Sequence, residues 1–207
     1  VAILMENNIE AAVAIFGVLK AGCVFLVLSQ TIKPDKLEFV LDDCGARAVV
    51  TEPVFLDMVR EVGGTSESVA LVLCFGDRTT VESPDALVVW FDGDEAGGTV
   101  DLDVVSIDAD VAALIYTSGS TGFPKGVTVS HLNIVSAATS ITTYLENTAD
   151  DVIINALPLS FDYGLYQLLM SVKVGATLIL EKSFAYPFTF VERIREQRVT
   201  GVPGVPT

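Results

Sequence analysis

The stretch that decides the fold is Tyr116-Thr-Ser-Gly-Ser-Thr-Gly-Phe-Pro-Lys-Gly-Val127, which connects an apolar run at 111–116 to another at 126–129. The eleven positions after the tyrosine hold three glycines, four hydroxyl side chains and one lysine. Glycine allows positive φ and a close backbone approach, so that consecutive N–H groups can converge on oxyanions. The stretch therefore predicts a polyphosphate-binding loop whose ligands are Thr117, Ser118, Gly119, Ser120, Thr121, Gly122 and Lys125.

Two other phosphate motifs do not fit this stretch. The Walker loop consists of a glycine, four further residues and then Gly-Lys. Here the position five residues after Gly119 is occupied by Pro124 instead of glycine. The dinucleotide pattern G-x-G-x-x-G is absent, because the three glycines are three and four positions apart. A purely structural Ser/Gly turn that joins a hairpin is the remaining alternative. It leaves the lysine between proline and glycine unexplained, so phosphate binding is the preferred interpretation.

Apolar strands and amphipathic helices alternate on both sides of the loop. A glycine at position 22 closes the first helix, and Gly63-Gly64 is expected to break the third. This alternation predicts an α/β fold with mainly parallel β-sheet layers flanked by helices. The predicted helices are 10–21, 34–43, 54–62 and 131–145, and the predicted strands are 23–28, 46–51, 69–75, 111–116, 126–129 and 152–157, with a final helix, strand and helix that end near Gln197.

The segment 76–110 differs from the rest of the chain. It holds several glycines, a proline and many acidic residues, with one short apolar run at 86–91. We expect an acidic surface excursion there, because such a composition cannot supply a core element over its whole length.

Charge and cysteine usage narrow the classes of function. The chain has 207 residues, 27 acidic and 12 basic side chains and a formal net charge of −15. Such a surface repels nucleic acid and anionic membranes, although a local anion-binding loop stays compatible with it. The apolar stretch 11–28 is interrupted by Lys20 and Gly22, so no membrane span is expected. We expect a cytoplasmic protein in which three unpaired cysteines are buried: Cys23, Cys44 and Cys74.

With these motifs in order, the sequence resembles the adenylate-forming superfamily of acyl-CoA synthetases, aryl-CoA ligases, luciferases and peptide-synthetase adenylation domains. The run T-S-G-S-T-G-F-P-K-G-V is similar to the signature of that superfamily. Order and spacing agree over nearly the whole chain. The other segments that carry the resemblance are Leu19-Lys-Ala-Gly22, Phe39-Val-Leu-Asp-Asp-Cys-Gly-Ala46, Ser130-His-Leu-Asn133, Pro158-Leu-Ser-Phe-Asp-Tyr-Gly164 and Gly175-Ala-Thr177.

The resemblance implies an activity, its cofactors and its partners. In the family a carboxylate attacks the α-phosphorus of Mg-ATP, and the acyl adenylate then passes to the thiol of coenzyme A or phosphopantetheine, in some members on a carrier protein. Residues 117–125 would wrap the β- and γ-phosphates, and Thr117 would also touch the Mg²⁺ ion. No catalytic residue is assignable within this chain. The adenine, ribose and Mg-glutamate motifs and the C-terminal lysine of the family lie outside it.

Two interpretations of Asp162 stay open. The pair Phe161 and Asp162 resembles the position at which amino-acid-activating members hold a carboxylate near the substrate amine. Asp162 also follows Ser160 at the start of a predicted helix, where an acidic residue caps free N–H groups and meets the positive end of the helix dipole. The aromatic ring of Phe161 would line the acyl or nucleotide pocket or belong to the core.

The resemblance also sets the predicted extent and function. Residues 1–207 would be part of the larger AMP-binding N-terminal domain, without the C-terminal domain, and inactive alone. The segment 157–160 favours an acyl-CoA synthetase-like enzyme. Asp162 favours the alternative, an amino-acid adenylation domain of a peptide synthetase. A non-catalytic nucleotide-binding or structural module is the alternative from another class.

Overall fold

The computed structural model describes residues 1–76, 88–91, 106–117 and 124–205. Strands and helices alternate along the chain, as the sequence predicts. The strands are β1 Ala2–Leu4, β2 Leu26–Val27, β3 Ala48–Thr51, β4 Leu71–Phe75, β5 Val88–Phe91, β6 Val111–Thr117, β7 Lys125–Ser130, β8 Val152–Asn155 and β9 Thr177–Leu180. The helices are α1 Ile9–Lys20, α2 Pro34–Asp43, α3 Pro53–Thr65, α4 His131–Tyr144, α5 Asp162–Val174 and α6 Pro187–Glu196.

A parallel sheet of five strands forms the centre, in the order β2-β1-β3-β4-β5. Its middle strands are almost fully buried, because helices cover both faces: one face packs with α2 and α3, the other with α1 and α5. The predicted α/β fold with a central parallel sheet is therefore confirmed. The first helix ends as predicted, since Gly22 adopts φ +68° directly after the last turn of α1.

The strand β5 corrects the expectation of a surface excursion over 76–110. Val88 is buried, and residues 88–91 pair in parallel with β4. The short apolar run in this segment thus forms an edge strand, because its residues can extend the hydrophobic face of β4. Residues 77–87 and 92–105 of the predicted excursion lie outside the described part of the chain.

The hairpin of β6 and β7 is attached to the sheet beside β2. Phe25 N–H donates to Ala112 O at 3.0 Å, and Leu114 N–H donates to Phe25 O at 2.9 Å. β6 therefore forms a parallel bridge with Phe25, the residue before β2, while β7 pairs with β6 in antiparallel register. Thr117 and Lys125, at the last pair of the hairpin, therefore lie towards the carboxyl end of the parallel strands.

A buried amide joins the sheet to the second parallel pair, β8 and β9. Asn7 donates from Nδ2 to Leu157 O at 2.9 Å and to Glu181 O at 3.2 Å, and Leu159 N–H donates to Asn7 Oδ1 at 3.1 Å. Both donors and the acceptor of the amide are thus satisfied while the side chain is buried. The loop after β8 is thereby fixed against the end of β1.

Two further expectations need correction. Helix α3 continues through Gly63-Gly64 to Thr65. Two glycines cost about 1 kcal/mol each in a helix, and burial of Leu56, Val59 and Val62 on one face offsets that cost. Cys23 is exposed, because it lies in the turn after Gly22 and before β2, whereas Cys44 is half-buried and Cys74 is buried as expected. Within the described residues, every helix is too short or too polar to cross a bilayer.

Candidate functional site

The predicted phosphate loop starts and ends on two residues that face each other. Thr117, the last residue of β6, is paired in register with Lys125, the first residue of β7, and both side chains are exposed. The hairpin therefore presents a hydroxyl and an ammonium group side by side at the end where β6 finishes and β7 begins. The other predicted ligands lie outside the described residues: Ser118, Gly119, Ser120, Thr121 and Gly122.

The residue before the loop is held from two sides. Tyr116 is paired in register with Gly126 on β7, and a Cβ at position 126 would lie 3.0 Å from Tyr116 Cζ. Its hydroxyl donates a 2.5 Å hydrogen bond to Asp43 Oδ2 at the end of α2. Burial, and then the hydrogen bond to Asp43, raise the pKa of Tyr116 above its ordinary value. The phenol thus stays protonated and works as a donor.

A cleft of about 390 Å³, which we call the α2 cleft, opens between α2 and the hairpin. Thr117 and Pro124 both line it, so the residues on either side of the predicted loop share this space. Its aliphatic lining consists of Val27, Leu28, Ile32 and Val40. Its polar wall consists of Ser29, Thr31, Lys33, Lys36, Thr117 and Ser160.

The start of α5 lies at the edge of the same region. Gly164 is packed so closely that a Cβ would lie 2.3 Å from Pro158 O, and Asn155 Nδ2 donates to Gly164 O at 3.1 Å. These contacts fix the turn of residues 158–162 against the end of β8. Ser160 lines the α2 cleft, and together with Asp162 it also lines a narrow gap between α5 and β6.

Asp162 has a local partner. It is the first residue of α5, and its Oδ1 accepts the N–H of Tyr163 at 2.7 Å, as the capping interpretation predicts. The carboxylate is nevertheless exposed, so substrate contact stays a prediction. Phe161 precedes the helix and is 45% exposed, which argues against the core alternative for its ring.

A further cleft of about 470 Å³ lies between α4, α5 and residues 200–203. Tyr144, Tyr163 and Tyr166 are in its wall, and none of the predicted site residues that the structure describes lines it. The described residues contain no group of three or more His, Cys, Asp or Glu side chains that could hold a metal ion. The α2 cleft is therefore the candidate site.

Sequence reasoning missed several residues around this site. Asp43 and Tyr116 stand within quoted motifs, but their contact joins positions 73 residues apart. Lys33 and Lys36 had a weaker signal, as two of only 12 basic residues placed around the proline that starts a helix. Asn7 had no signal, because its partners lie 150 residues and more along the chain.

Several known proteins are similar to this chain in sequence. The sequence profile of the family described as AMP-binding enzyme matches residues 1–207. Phosphinothricin tripeptide synthetase PhsC of Streptomyces viridochromogenes is 35% identical over 98% of this chain and 17% of its own length. Zwittermicin A synthase ZmaJ of Bacillus cereus is 28% identical over the whole chain and 36% of its own length. The chain thus spans well under half of these relatives.

Solved structures agree in fold. VinN, in a complex with 3-methylaspartate, is 31% identical with a TM-score of 0.76, over 99% of this chain and 51% of VinN. MbtA of Mycobacterium smegmatis is 28% identical with a TM-score of 0.84, over 97% of this chain and 37% of MbtA. ATP-bound MatB of Rhodopseudomonas palustris is 27% identical with a TM-score of 0.80, over 99% and 39%.

Proposed function

Because this chain belongs to the family of AMP-binding enzymes, we propose that it is part of an ATP-dependent ligase that activates a carboxylic acid as its adenylate. In this reaction a carboxylate oxygen attacks the α-phosphorus of ATP. The bond from that phosphorus to the bridging oxygen breaks, and pyrophosphate leaves with the electron pair. The observation that carries the proposal is the hairpin end at which Thr117 and Lys125 face each other beside the α2 cleft.

The hairpin supports binding of the ATP phosphates. Lys125 is exposed and forms no ion pair with any described residue, so its charge is available to an anion. Thr117 supplies a hydroxyl donor across from it. In this proposal residues 117–122 add further N–H and hydroxyl donors, and each charge-assisted hydrogen bond contributes roughly 1.5 to 3 kcal/mol.

The described residues supply few ligands for Mg²⁺. Mg²⁺ prefers oxygen ligands and is commonly held by one or two carboxylates together with substrate phosphates. The described residues offer the Thr117 hydroxyl at the site and no cluster of acidic side chains. When bound, the ion neutralises charge on the phosphates. Thr117 fits as one neutral ligand, and the phosphate oxygens would supply most of the others.

Two versions of this function differ in the acid that is activated and in the thiol that accepts it. The 35% identity to a tripeptide synthetase and the 31% identity to a protein solved with 3-methylaspartate favour an amino acid, passed to a phosphopantetheine thiol on a carrier protein. The exposed Asp162 carboxylate suits that version, because it can pair with a substrate amine. The acyl-CoA synthetase version predicts an acid without an amine and coenzyme A as the acceptor.

The test is exchange of labelled pyrophosphate into ATP by the full-length protein with a panel of amino, aryl and fatty acids. We expect exchange with one class of acid, and a loss of at least tenfold in kcat/KM for Lys125→Ala. Lys173→Ala, which removes an equal charge from the last turn of α5, is the matched control and should keep wild-type exchange. Absence of exchange with every acid, despite calorimetric binding of Mg-ATP, would favour a non-catalytic module.

Replacing Asp162 separates the two versions. Asp162→Asn should raise the KM for an amino acid by tenfold or more while leaving the KM for ATP unchanged. Equal KM values for the acid in the variant and the wild type would contradict the amino-acid version. Mass spectrometry of the acceptor then identifies an aminoacylated carrier protein or an acyl-CoA.

A further inference from the structure

The acidic and basic side chains of α2 have different surroundings. Three of its four acidic residues point to other elements: Glu38 accepts from Thr65 Oγ1, Asp42 from Ser66 Oγ, and Asp43 from Tyr116. The lysines at 33 and 36 line the α2 cleft instead. No acidic residue of the described chain lines this cleft, although acids outnumber bases 27 to 12 in the sequence.

The position of the two lysines is electrostatically unfavourable for the free protein. Lys33 is the residue before α2 and Lys36 is in its first turn, where the helix dipole is positive and acidic residues are normally preferred. Neither lysine forms an ion pair within the described part of the chain. Only Asp35 of the first turn offsets their charge. A bound anion would relieve this concentration of positive charge.

The cleft is lined by residues on either side of the predicted phosphate loop. Thr117 and Pro124, on either side of the predicted phosphate loop, are in its wall together with the lysines. The hydroxyls of Ser29 and Thr31 also line the cleft and are exposed; they are 3.0 Å apart, so one donates to the other and the second is free to donate to a ligand. Two ammonium groups and several hydroxyls are the chemistry that recognises a polyphosphate anion.

We propose that Lys33 and Lys36 form, in the α2 cleft, a binding site for the pyrophosphate that leaves ATP. The inference rests on the proposed function. When the bond between the α-phosphorus and the bridging oxygen breaks, negative charge grows on that oxygen and the departing pyrophosphate carries it. The two lysines of the α2 cleft stabilise this charge and hold pyrophosphate for the reverse reaction. Lys125 contacts the phosphates from the hairpin, and the lysines of α2 contact them from the opposite wall.

The test varies inorganic pyrophosphate in the exchange reaction of the full-length protein, at saturating ATP and acid. The double variant Lys33→Ala/Lys36→Ala should raise the KM for pyrophosphate by five- to twentyfold, with the KM for the acid unchanged. Lys33→Arg/Lys36→Arg should recover most of the affinity, because charge is retained. Lys173→Ala serves again as the control for loss of one positive charge.

The outcomes separate this inference from the proposed function. Exchange in the wild type with equal pyrophosphate KM values in the double variant and in Lys173→Ala would overturn the site while the ligase function stands. If the wild type shows no exchange, the ligase proposal fails. Calorimetric titration with inorganic pyrophosphate then tests whether the α2 cleft binds this anion. The proposed site requires at least fivefold weaker binding by the double variant than by the control.

Discussion

The Tyr116 hydroxyl donates to Asp43 Oδ2 at 2.5 Å, and this bond connects the strand before the predicted phosphate loop to the last turn of α2. One wall of the α2 cleft is the hairpin and the other is α2, so the bond fixes the two walls relative to each other. It follows that Thr117, the neighbour of Tyr116, takes its position partly from a helix far away in the sequence.

Removal of this hydroxyl should weaken ATP binding without abolishing the fold. Tyr116→Phe keeps the ring and loses a hydrogen bond worth about 1 kcal/mol at a partly exposed position, so we expect the KM for ATP to rise about fivefold. The measurement is exchange kinetics of the full-length protein. Tyr144→Phe, at a 69% exposed tyrosine of α4, is the control. Equal KM values for ATP in the two variants would contradict the positioning role of Tyr116.

A methyl group on the opposite strand should disturb the same ring. In Gly126→Ala the new Cβ would lie 3.0 Å from Tyr116 Cζ, so the ring has to shift by a few tenths of an ångström, which disturbs its hydrogen bond to Asp43. We expect a loss of about 1 to 2 kcal/mol in the free energy of unfolding, measured by urea titration, and a larger rise in the KM for ATP than Tyr116→Phe gives. Gly17→Ala, in α1 with no atom within 4 Å of the added Cβ, should be neutral or stabilising. Wild-type stability of Gly126→Ala would show that the ring is free to shift.

A third substitution tests how the turn before α5 is held. Gly164→Ala would bring its Cβ to 2.3 Å from Pro158 O, a backbone atom that cannot rotate away. The helix start has to move, which also breaks the bond from Asn155 Nδ2 to Gly164 O. We expect the free energy of unfolding to fall by about 3 kcal/mol, again by urea titration and against Gly17→Ala. A loss below about 1 kcal/mol would mean that the turn of residues 158–162 is loosely packed.

The three thiols should react in an order set by their exposure. Cys23 is exposed, while Cys74 is buried and its pKa is raised to about 11, chiefly by burial. Because the thiolate is the reactive form, we expect iodoacetamide at pH 8 to modify Cys23 first and Cys74 last, with Cys44 between them. Peptide mass spectrometry over time measures the three rates. In concentrated urea the rates should become similar, and native modification of Cys74 as fast as Cys23 would contradict the buried position of β4.

The sequence predicted the elements with local signals and missed the contacts without them. The bounds of α2 match the prediction at 34–43, because a proline start and apolar spacing lie within the helix itself. The strand predicted at 23–28 shortens to Leu26–Val27, and the edge strand β5 was not expected, because pairing with β1 and β4 decides both. Propensity also failed at Gly63, which is buried inside α3.

The candidate site likewise combines residues with local sequence signals and contacts that have none. The pattern at 117–125 predicts a polyphosphate-type loop, because glycines, hydroxyls and lysine stand next to one another in the chain. The opposite wall of the cleft could not be predicted, since Lys33 and Lys36 meet the hairpin only through folding. The bond between Tyr116 and Asp43 likewise depends on how α2 packs, which no local pattern encodes.

Alkaline pH should destabilise the wild type more than Tyr116→Phe. Burial and the hydrogen bond to Asp43 raise the pKa of Tyr116 in the folded protein above the value near 10 that it has when unfolded. Below pH 10 both states keep the proton and the contribution to stability is complete. As the pH rises above 10, the unfolded chain loses the proton first, so the free energy of unfolding falls. We expect the midpoint of urea unfolding to drop more steeply between pH 10 and 11 in the wild type than in the variant. Tyr144→Phe should follow the wild type, and parallel curves for wild type and Tyr116→Phe would show that the phenol titrates alike in both states.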